Sequence, residues 1–406
     1  MNVVFLSPAY PPEMQQYTRG LAQVGATVLG VGDSHPDSMP QWLKGCLADY
    51  LQVPRILDED DVIARVHAWL RGRNVDQVLA NWEPLVILAA RLRERFGLPG
   101  MSVDTVTGFR DKQLMKERVA GAGLRVPRSV RARSARTVRD AAAEIGFPLI
   151  LKPIAGAGSA DTYKVEDAAE LDAVLARLGH VEEASCEEYI DGEEFTYDTL
   201  CVDGEPVYEN VIQYLPNALI GRSQEWVSPV SISVRDLTQP RVQSGLALGR
   251  RVLGALGMGT GFTHMEWFRK PDGEAVFGEI GCRPGGACLV DQMNFTSDID
   301  LFVEWARVAV WKSFEASRER KYNTGICFKR ARGQGRITRI EGLEEYRRRY
   351  GKWIARIDLL PIGEKRRDWK RTLLSDGHII ARHPDWDVAH EMIFAAATDV
   401  TIYAGG

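Results

Sequence analysis

No Cys-x-x-Cys occurs in the 406-residue chain, and its six cysteines (46, 186, 201, 282, 288 and 327) are scattered. That spacing excludes the common zinc frameworks and a disulfide lattice, so the thiols read as reduced core or site-lining groups. No apolar run reaches the ~18 residues of a membrane span. The opening MNVVFLSPAY has no basic segment of the kind that starts a secretion signal. A cytoplasmic protein without a membrane partner is the expectation. No Gly-x-Gly-x-x-Gly follows the first apolar strand, and no glycine-rich loop ends in Gly-Lys-Ser/Thr. Dinucleotide binding of the Rossmann type is therefore not supported, and a Walker A loop is excluded. Repeats and low-complexity tracts are missing too.

What remains is a soluble globular composition, 45% hydrophobic and 26% charged, long enough for two or three domains. The net charge of −4 is uneven: residues 318–371 hold 18 Lys/Arg against 7 Asp/Glu. Ile337, Ile340, Leu343, Ile354 and Ile357 interleave with these cations and no nucleic-acid motif accompanies them. A solvated surface around an ordinary core is therefore expected, and no nucleic-acid partner.

The most informative segment is a hairpin pattern. The apolar runs Phe262–Phe268 and Ala275–Ile280 flank an Asp272-Gly273 step, a strong turn signal. Folding about that step sets Glu266 opposite Glu279 on one face. Opposed carboxylates repel at a Cβ separation of ~5 Å. A shared proton offsets the repulsion, and a divalent cation with oxygen ligands does so more fully. A solvated pair beside Lys or Arg is the competing reading. Just beyond lie Gly281-Cys282-Arg283-Pro284-Gly285-Gly286, a fixed cation followed by small residues. Cation, guanidinium and bare backbone N–H groups together suit anionic oxygens.

Elsewhere, strands at Val3–Leu6, Thr27–Val31 and Gln77–Ala80 alternate with helices at Met14–Val24, Asp60–Arg71 and Leu85–Phe96, the pattern of a parallel α/β sheet. Pro8, Pro11 and Pro12 stiffen the loop after the first strand, where such sheets bind ligands. Helices are expected at Asp111–Ala122, Arg139–Ile145, Ala168–Leu178 and Arg241–Leu256, and strands at Pro148–Pro153, Cys186–Ile190 and Phe195–Val202. Residues 211–234 read as a long loop of the kind that covers active sites.

Lys152 ends an apolar run, where a desolvated ammonium needs an anionic partner. It leads into a small-residue loop in which Gly156, Gly158 and Ser159 suit a phosphate. Lys112 is a second candidate. Glu187-Glu188-Tyr189-Ile190 reads as a strand able to offer backbone groups to a base edge, and Glu194 as an acceptor for ribose hydroxyls. Trp82-Glu83, Arg222 and Trp226 read as core or surface before ligand contacts.

In this order the pieces resemble the ATP-grasp superfamily, particularly its carboxylate–amine (L-amino acid) ligase branch. The carrying stretches are Arg110-Asp111-Lys112 with Met115; Ile150-Leu151-Lys152-Pro153 with its loop; Glu187 through Glu194; and His264-Met265-Glu266 through Glu279-Ile280-Gly281-Cys282-Arg283. The resemblance implies a mixed α/β and α+β ATP-grasp fold. It has a Rossmann-like N-terminal domain (1–105), a two-lobed nucleotide clamp (106–314) with a mobile small lobe at about 125–188, and a C-terminal α/β lobe (315–406). It implies that Lys112 and Lys152 hold ATP phosphates under the Gly156–Ser159 loop. Glu187, Glu188, Tyr189 and Ile190 meet adenine, and Glu194 meets ribose. Glu266 and Glu279 hold one or two Mg²⁺ (or Mn²⁺). Arg283, with Lys152, serves catalysis, and His264, Arg283, Gly285 and Gly286 face substrate. Many relatives place an Asn metal ligand where this chain has Gly281. The implied reaction joins a small carboxylate to an amine through an acyl phosphate, releasing ADP and phosphate. Its alternatives are carboxylation or formylation through carboxy- or formyl-phosphate, and a non-catalytic ATP-binding regulator. Homodimerisation through the N-terminal domain is also implied.

Overall fold

The computed structural model describes residues 1–154, 161–178, 182–372 and 374–406. Its first unit is a parallel sheet of β1 (Asn2–Leu6), β2 (Thr27–Gly32), β3 (Asp49–Gln52) and β4 (Gln77–Leu79), in the order β3-β2-β1-β4. Helices α1 (Met14–Gln23), α2 (Gln41–Lys44) and α3 (Glu59–Trp69) connect the strands, and α4 (Val86–Phe96) follows the last of them. Along β1, Val3 and Phe5 pack with Met14, Tyr17 and Leu21 of α1, while Val4 and Leu6 pack with Val62, Val66, Leu88 and Leu92 on the other side. Burial on both faces is why β1 reads as an unbroken apolar run. The half-polar edge strand β3 carries no such run and escapes sequence reading.

After α5 (Val103–Gly108) and α6 (Lys112–Gly121) comes a small antiparallel sheet. It comprises β5 (Ser129–Ala132), β6 (Leu149–Pro153), β7 (Tyr163–Val165) and β8 (Ala184–Glu188), ordered β5-β8-β6-β7 and backed by α7 (Ala135–Ile145) and α8 (Ala168–Arg177). α7 starts four residues before the expected Arg139. Ser134 Oγ accepts from Thr137 N at 3.2 Å and Thr137 Oγ1 accepts from Ser134 N at 3.0 Å, a reciprocal cap that nucleates the earlier turn.

The rest is dominated by one eight-stranded antiparallel sheet, ordered β13-β12-β9-β10-β11-β14-β17-β16. In chain order its surroundings run β9 (Glu193–Val202), β10 (Glu205–Leu215), α9 (Ala218–Ser223), β11 (Val230–Ser233), α10 (Pro240–Leu256), β12 (Gly261–Arg269), β13 (Ala275–Gly281), α11 (Leu289–Ser297) and α12 (Leu301–Trp311). They continue with β14 (Asn323–Phe328), β15 (Arg336–Glu341), α13 (Leu343–Tyr350), β16 (Ile354–Leu359), β17 (Gly377–His383), α14 (Trp386–Thr398) and β18 (Thr401–Gly405). β15 and β18 pair separately.

Two expectations change here. The stretch 211–234 is not one long loop: β10 reaches Leu215 and β11 occupies Val230–Ser233, leaving 216–229 as the connection. Residues Tyr208 to Gln213 are mostly buried, and burial on both faces erases the alternation that marks a half-exposed strand. The sheet also runs across the boundary expected at 315, because β14, β17 and β16 extend it. The basic charges of 318–371 are largely taken up internally. Arg347, Arg348 and Arg349 pair with Glu344, Glu345 and Glu391, and Lys329 is buried against the carbonyls of Ala396 and Ala397. Among the described residues no helix is long and apolar enough to cross a membrane.

Candidate active site

Glu266 and Glu279 are register partners in the β12–β13 hairpin, as are His264 and Gly281. The route to that register differs from expectation. Arg269 pairs with Ala275, and the turn between them holds five residues, closed by Lys270 N to Glu274 O at 2.9 Å and Gly273 N to Lys270 O at 2.9 Å. Its centre is Asp272, not the Asp272-Gly273 step. Regular pairing from there would set Gly278 opposite Glu266 and turn Glu279 to the other face. A bulge between Glu266 and Trp267 makes Gly278 the extra residue and returns Glu279 to its partner. The position needs glycine, since an added Cβ would lie 2.8 Å from the Glu266 carbonyl oxygen.

The two carboxylates stand where two cavities meet, and both line each of them. The first cavity, about 900 Å³, is flanked by Lys112, Lys152, Glu187, Tyr189, Ile190 and Glu194. The second, about 1370 Å³, carries Arg283, Trp82, Tyr214, His264, Gly285 and Gly286.

On the first side, cations and carboxylates alternate. Lys112 opens α6, whose N-cap Asp111 accepts from Gln113 N at 2.9 Å and Leu114 N at 3.0 Å. Its ammonium touches Glu279 Oε2. Lys152 Nζ lies 3.0 Å from Glu187 Oε2 and 3.8 Å from Glu279 Oε2. Lys116, one helical turn after Lys112, pairs with Glu187 from the opposite side. Burial alone would raise the Glu187 carboxyl, but Lys116 and Lys152 hold it well below the usual carboxylate range. Burial pulls Lys116 down to about 8.

The carboxylates divide. Burial would raise Glu279, yet Lys112 and Lys152 keep it low. Glu266 is raised by burial and then by Glu279. Glu194, pushed up to about 8 by burial with Glu266 adding to the effect, accepts from Ala218 N at 2.6 Å. This donor set fits Mg²⁺. That ion is usually held by one or two carboxylates, with phosphate and water oxygens completing its shell. Among the described residues no cluster of three or more His, Cys, Asp or Glu could hold an ion unaided. Nucleotide oxygens would complete the coordination.

Other sequence candidates fall as follows. Gly156, Gly158 and Ser159 lie outside the described residues. Glu187 sits inside the small sheet, paired with Ser129 and Ile150, so the visible role of its side chain is to bridge lysines. Glu188 accepts from Arg125 Nη2 at 2.7 Å and Arg128 N at 3.0 Å. Lys164 Nζ stands 4.2 Å from the centre of the Tyr189 ring. His264 Nδ1 is 2.6 Å from Asp198 Oδ1, which turns Nε2 toward Glu266 Oε1 at 3.9 Å. At Gly281, which faces His264 across the hairpin, the space beside the backbone is taken by Glu83 and Arg283. A Cβ there would lie 3.1 Å from Glu83 Oε2 and 3.5 Å from Arg283 Cγ. Trp226, 79% exposed, is a surface residue.

Sequence reasoning missed the partners. Arg283 Nε donates to Glu83 Oε2, and Arg110 Nη1 donates to Glu83 Oε1 at 2.5 Å. Partial removal from water would raise Glu83, but Arg283 and Arg110 keep it below the ordinary value. Lys116 and Asp198 carry no motif of their own. The one signal for Glu83 was its place just after β4, at the ligand-binding end of a parallel sheet.

Known proteins share this fold. Residues 145–291 match the ATP-grasp domain family. An L-arginine-specific L-amino acid ligase of Bacillus subtilis is 24% identical over 292 residues, spanning 70% of this chain and 69% of that protein. The crystal structure of an L-amino acid ligase from Bacillus licheniformis superposes with a TM-score of 0.79 at 19% identity, covering 100% of this chain and 99% of the other. N5-carboxyaminoimidazole ribonucleotide synthetase from Thermotoga maritima superposes at 0.74 with 15% identity, covering 100% and 99%. The chain carries an ATP-grasp domain and adopts, from end to end, the ATP-grasp fold of these enzymes.

Proposed function

We propose that this ATP-grasp enzyme is an ATP-dependent carboxylate–amine ligase, acting on small carboxylic acids or amino acids and forming an amide or peptide bond. The observation that carries the reading is the Glu266–Glu279 pair on the shared wall of two cavities, with lysines on one side and Arg283 on the other. In this reading ATP lies in the first cavity, its adenine along Glu187–Ile190, its ribose at Glu194 and its phosphates at Lys112 and Lys152. Glu266 and Glu279 would hold Mg²⁺, which supplies neutralisation of phosphate charge.

Arg283, fixed by Glu83, steers the substrate carboxylate toward the terminal phosphate. A carboxylate oxygen bonds to the γ-phosphorus, the bridging P–O bond breaks and ADP departs. The amine attacks the acyl carbon, phosphate leaves with the C–O bonding pair, and the nitrogen loses a proton. No protein nucleophile is needed; Lys152 and Arg283 position the reactants and balance charge. The second cavity's apolar walls, from Trp82, Tyr214, Leu289 and Phe328, suit an organic body better than bicarbonate or formate alone. The same reading carries a cytoplasmic location and a homodimer through the N-terminal domain.

A matrix of carboxylates against amines, scored by phosphate release, tests it. Release that needs one member of each set is expected. Strict dependence on bicarbonate or formate would replace ligation by carboxylation or formylation, and binding of ATP with no stimulated release by any pair would mark a regulator.

A further inference from the structure

A third cavity, about 1560 Å³, lies between the end of β4, helices α4 and α12, and the start of β12. Among the described residues it shares Asn81 alone with the second cavity and nothing with the first. Leu79, Val106, Met258, Phe262, Cys282 and Trp305 give it a mainly apolar wall.

Two cations line this space, and they differ. Lys312 is exposed and committed, with Nζ 2.6 Å from Asp203 Oδ1, the one carboxylate on the wall among the described residues. Arg93 is mostly buried. Its Nη1 donates to the Val78 carbonyl at 3.0 Å and its Nη2 to the Met101 carbonyl at 2.9 Å. Those bonds use two of the five N–H groups of a guanidinium. Nε has no acceptor, and among the described residues no carboxylate pairs with Arg93. Burial pulls this arginine below its ordinary value, and Cys282 and Glu94 offset that only in part. Gly100, at φ +134°, makes room for the side chain, since a Cβ there would lie 2.8 Å from Arg93 Cδ. Asn81 is 5% exposed and its amide nitrogen also lacks an acceptor.

A desolvated cation beside an unsatisfied amide calls for an anion. An inorganic ion would leave the apolar wall uncovered, whereas an organic acid answers both features. The cavity also adjoins both members of the pair that fixes the second cavity's guanidinium. Asn81 stands two residues before Glu83, and Cys282 directly precedes Arg283.

We propose that this third cavity is an effector site for a small monocarboxylic acid with an apolar body, its carboxylate held by Arg93 and Asn81. Filling the cavity steadies the Glu83–Arg283 pair and lowers the KM of the carboxylate substrate. The binding claim stands apart from the ligase reading, and the KM claim rests on it.

The probe is 4-bromobenzoate, with 4-bromobenzamide as its neutral counterpart. Anomalous scattering from bromine in a soaked crystal of the wild-type enzyme should place the acid beside Arg93. Calorimetry with MgADP present should show the acid binding at least about tenfold more tightly than the amide, because a charge-assisted pair is lost with the carboxylate. Arg93→Met should weaken the acid by a similar factor. Because Arg93 also holds two carbonyls, a second variant keeps the cation and fills the space: Thr105→Phe, on the cavity wall, should abolish binding there. Bromine confined to the second cavity, equal affinity in all three proteins, or density beside Arg93 with no measurable heat of binding would overturn the site. In steady-state phosphate release the acid should lower the KM of the carboxylate substrate by about fivefold in wild type, a usual size for coupling between sites, and leave Thr105→Phe unaffected. A wild-type KM that is unchanged or raised overturns the effector role. Bromine beside Arg93 with heat of binding, but no turnover by any carboxylate–amine pair, would sink the ligase reading and keep the site.

Discussion

The Lys112 ammonium rests directly on Glu279, a residue proposed to hold the metal. Lys152 reaches the same oxygen at 3.8 Å. Phosphate oxygens drawn to Lys112 and Lys152 would compete with Glu279 for the same ammonium groups and release it. A divalent cation is the natural new partner for the released carboxylate. Nucleotide and metal should therefore enter as a linked pair. ADP is expected to bind at least about tenfold more tightly with Mg²⁺ than with EDTA, roughly 1.4 kcal/mol. Glu279→Gln should erase most of that difference while abolishing turnover. Titration calorimetry decides the matter, and a metal-independent ADP affinity in wild type would refute the linkage.

Gly278 offers a test of the hairpin. Gly278→Ala would press a methyl group onto the Glu266 carbonyl, 2.8 Å away, and should cost about 1–3 kcal/mol in denaturant unfolding. The damage should also reach the chemistry, with nucleotide affinity in Mg²⁺ falling together with stability. A variant as stable as wild type would show that the bulge tolerates a side chain.

Glu83 anchors two guanidinium groups. Glu83→Gln leaves Arg110 and Arg283 without their shared counter-charge, and since the three groups are only partly exposed the loss should stay below the roughly 3–5 kcal/mol of a fully buried pair. The KM for the carboxylate substrate should rise by about tenfold or more while that for ATP changes little. Steady-state kinetics with each substrate varied in turn would show the split, and a rise confined to ATP would place Glu83 on the wrong side of the site.

Stability without ligands should depend on pH through Glu194, whose carboxyl is raised from 4.5 to about 8. Between those values the native protein keeps a proton that the unfolded chain has lost. Stability contributed by the neutral acid is therefore complete below about pH 4.5 and declines as pH rises toward 8, by at most a few kcal/mol. Melting temperatures of nucleotide-free protein at pH 5 and pH 8 should show the fall, and Glu194→Gln should flatten it. The same slope in both proteins would exclude Glu194 as the source.

The legible parts of this molecule are those whose partners are close in sequence. Glu266 and Glu279 share a hairpin, so turn chemistry and side-chain alternation put them together, even though a five-residue turn and a bulge replaced the simpler geometry. The first-strand loop was readable from strand–helix alternation. By contrast, Glu83 meets Arg283 across 200 positions and Lys116 meets Glu187 across 71, and only tertiary packing creates such pairs. β10 and β11 failed for a related reason: strands buried on both faces lose the polar alternation that distinguishes them from a loop with scattered apolar residues.

Because β14 is bonded to β11 and carries β17 and β16 outward, the last ninety residues are no detachable appendage. Trimming them off would strip β11 of its neighbour and uncover a row of unsatisfied amides and carbonyls, the kind of open border that recruits strands from other molecules. A shortened chain ending near residue 314 is thus expected to precipitate rather than survive as a smaller catalyst.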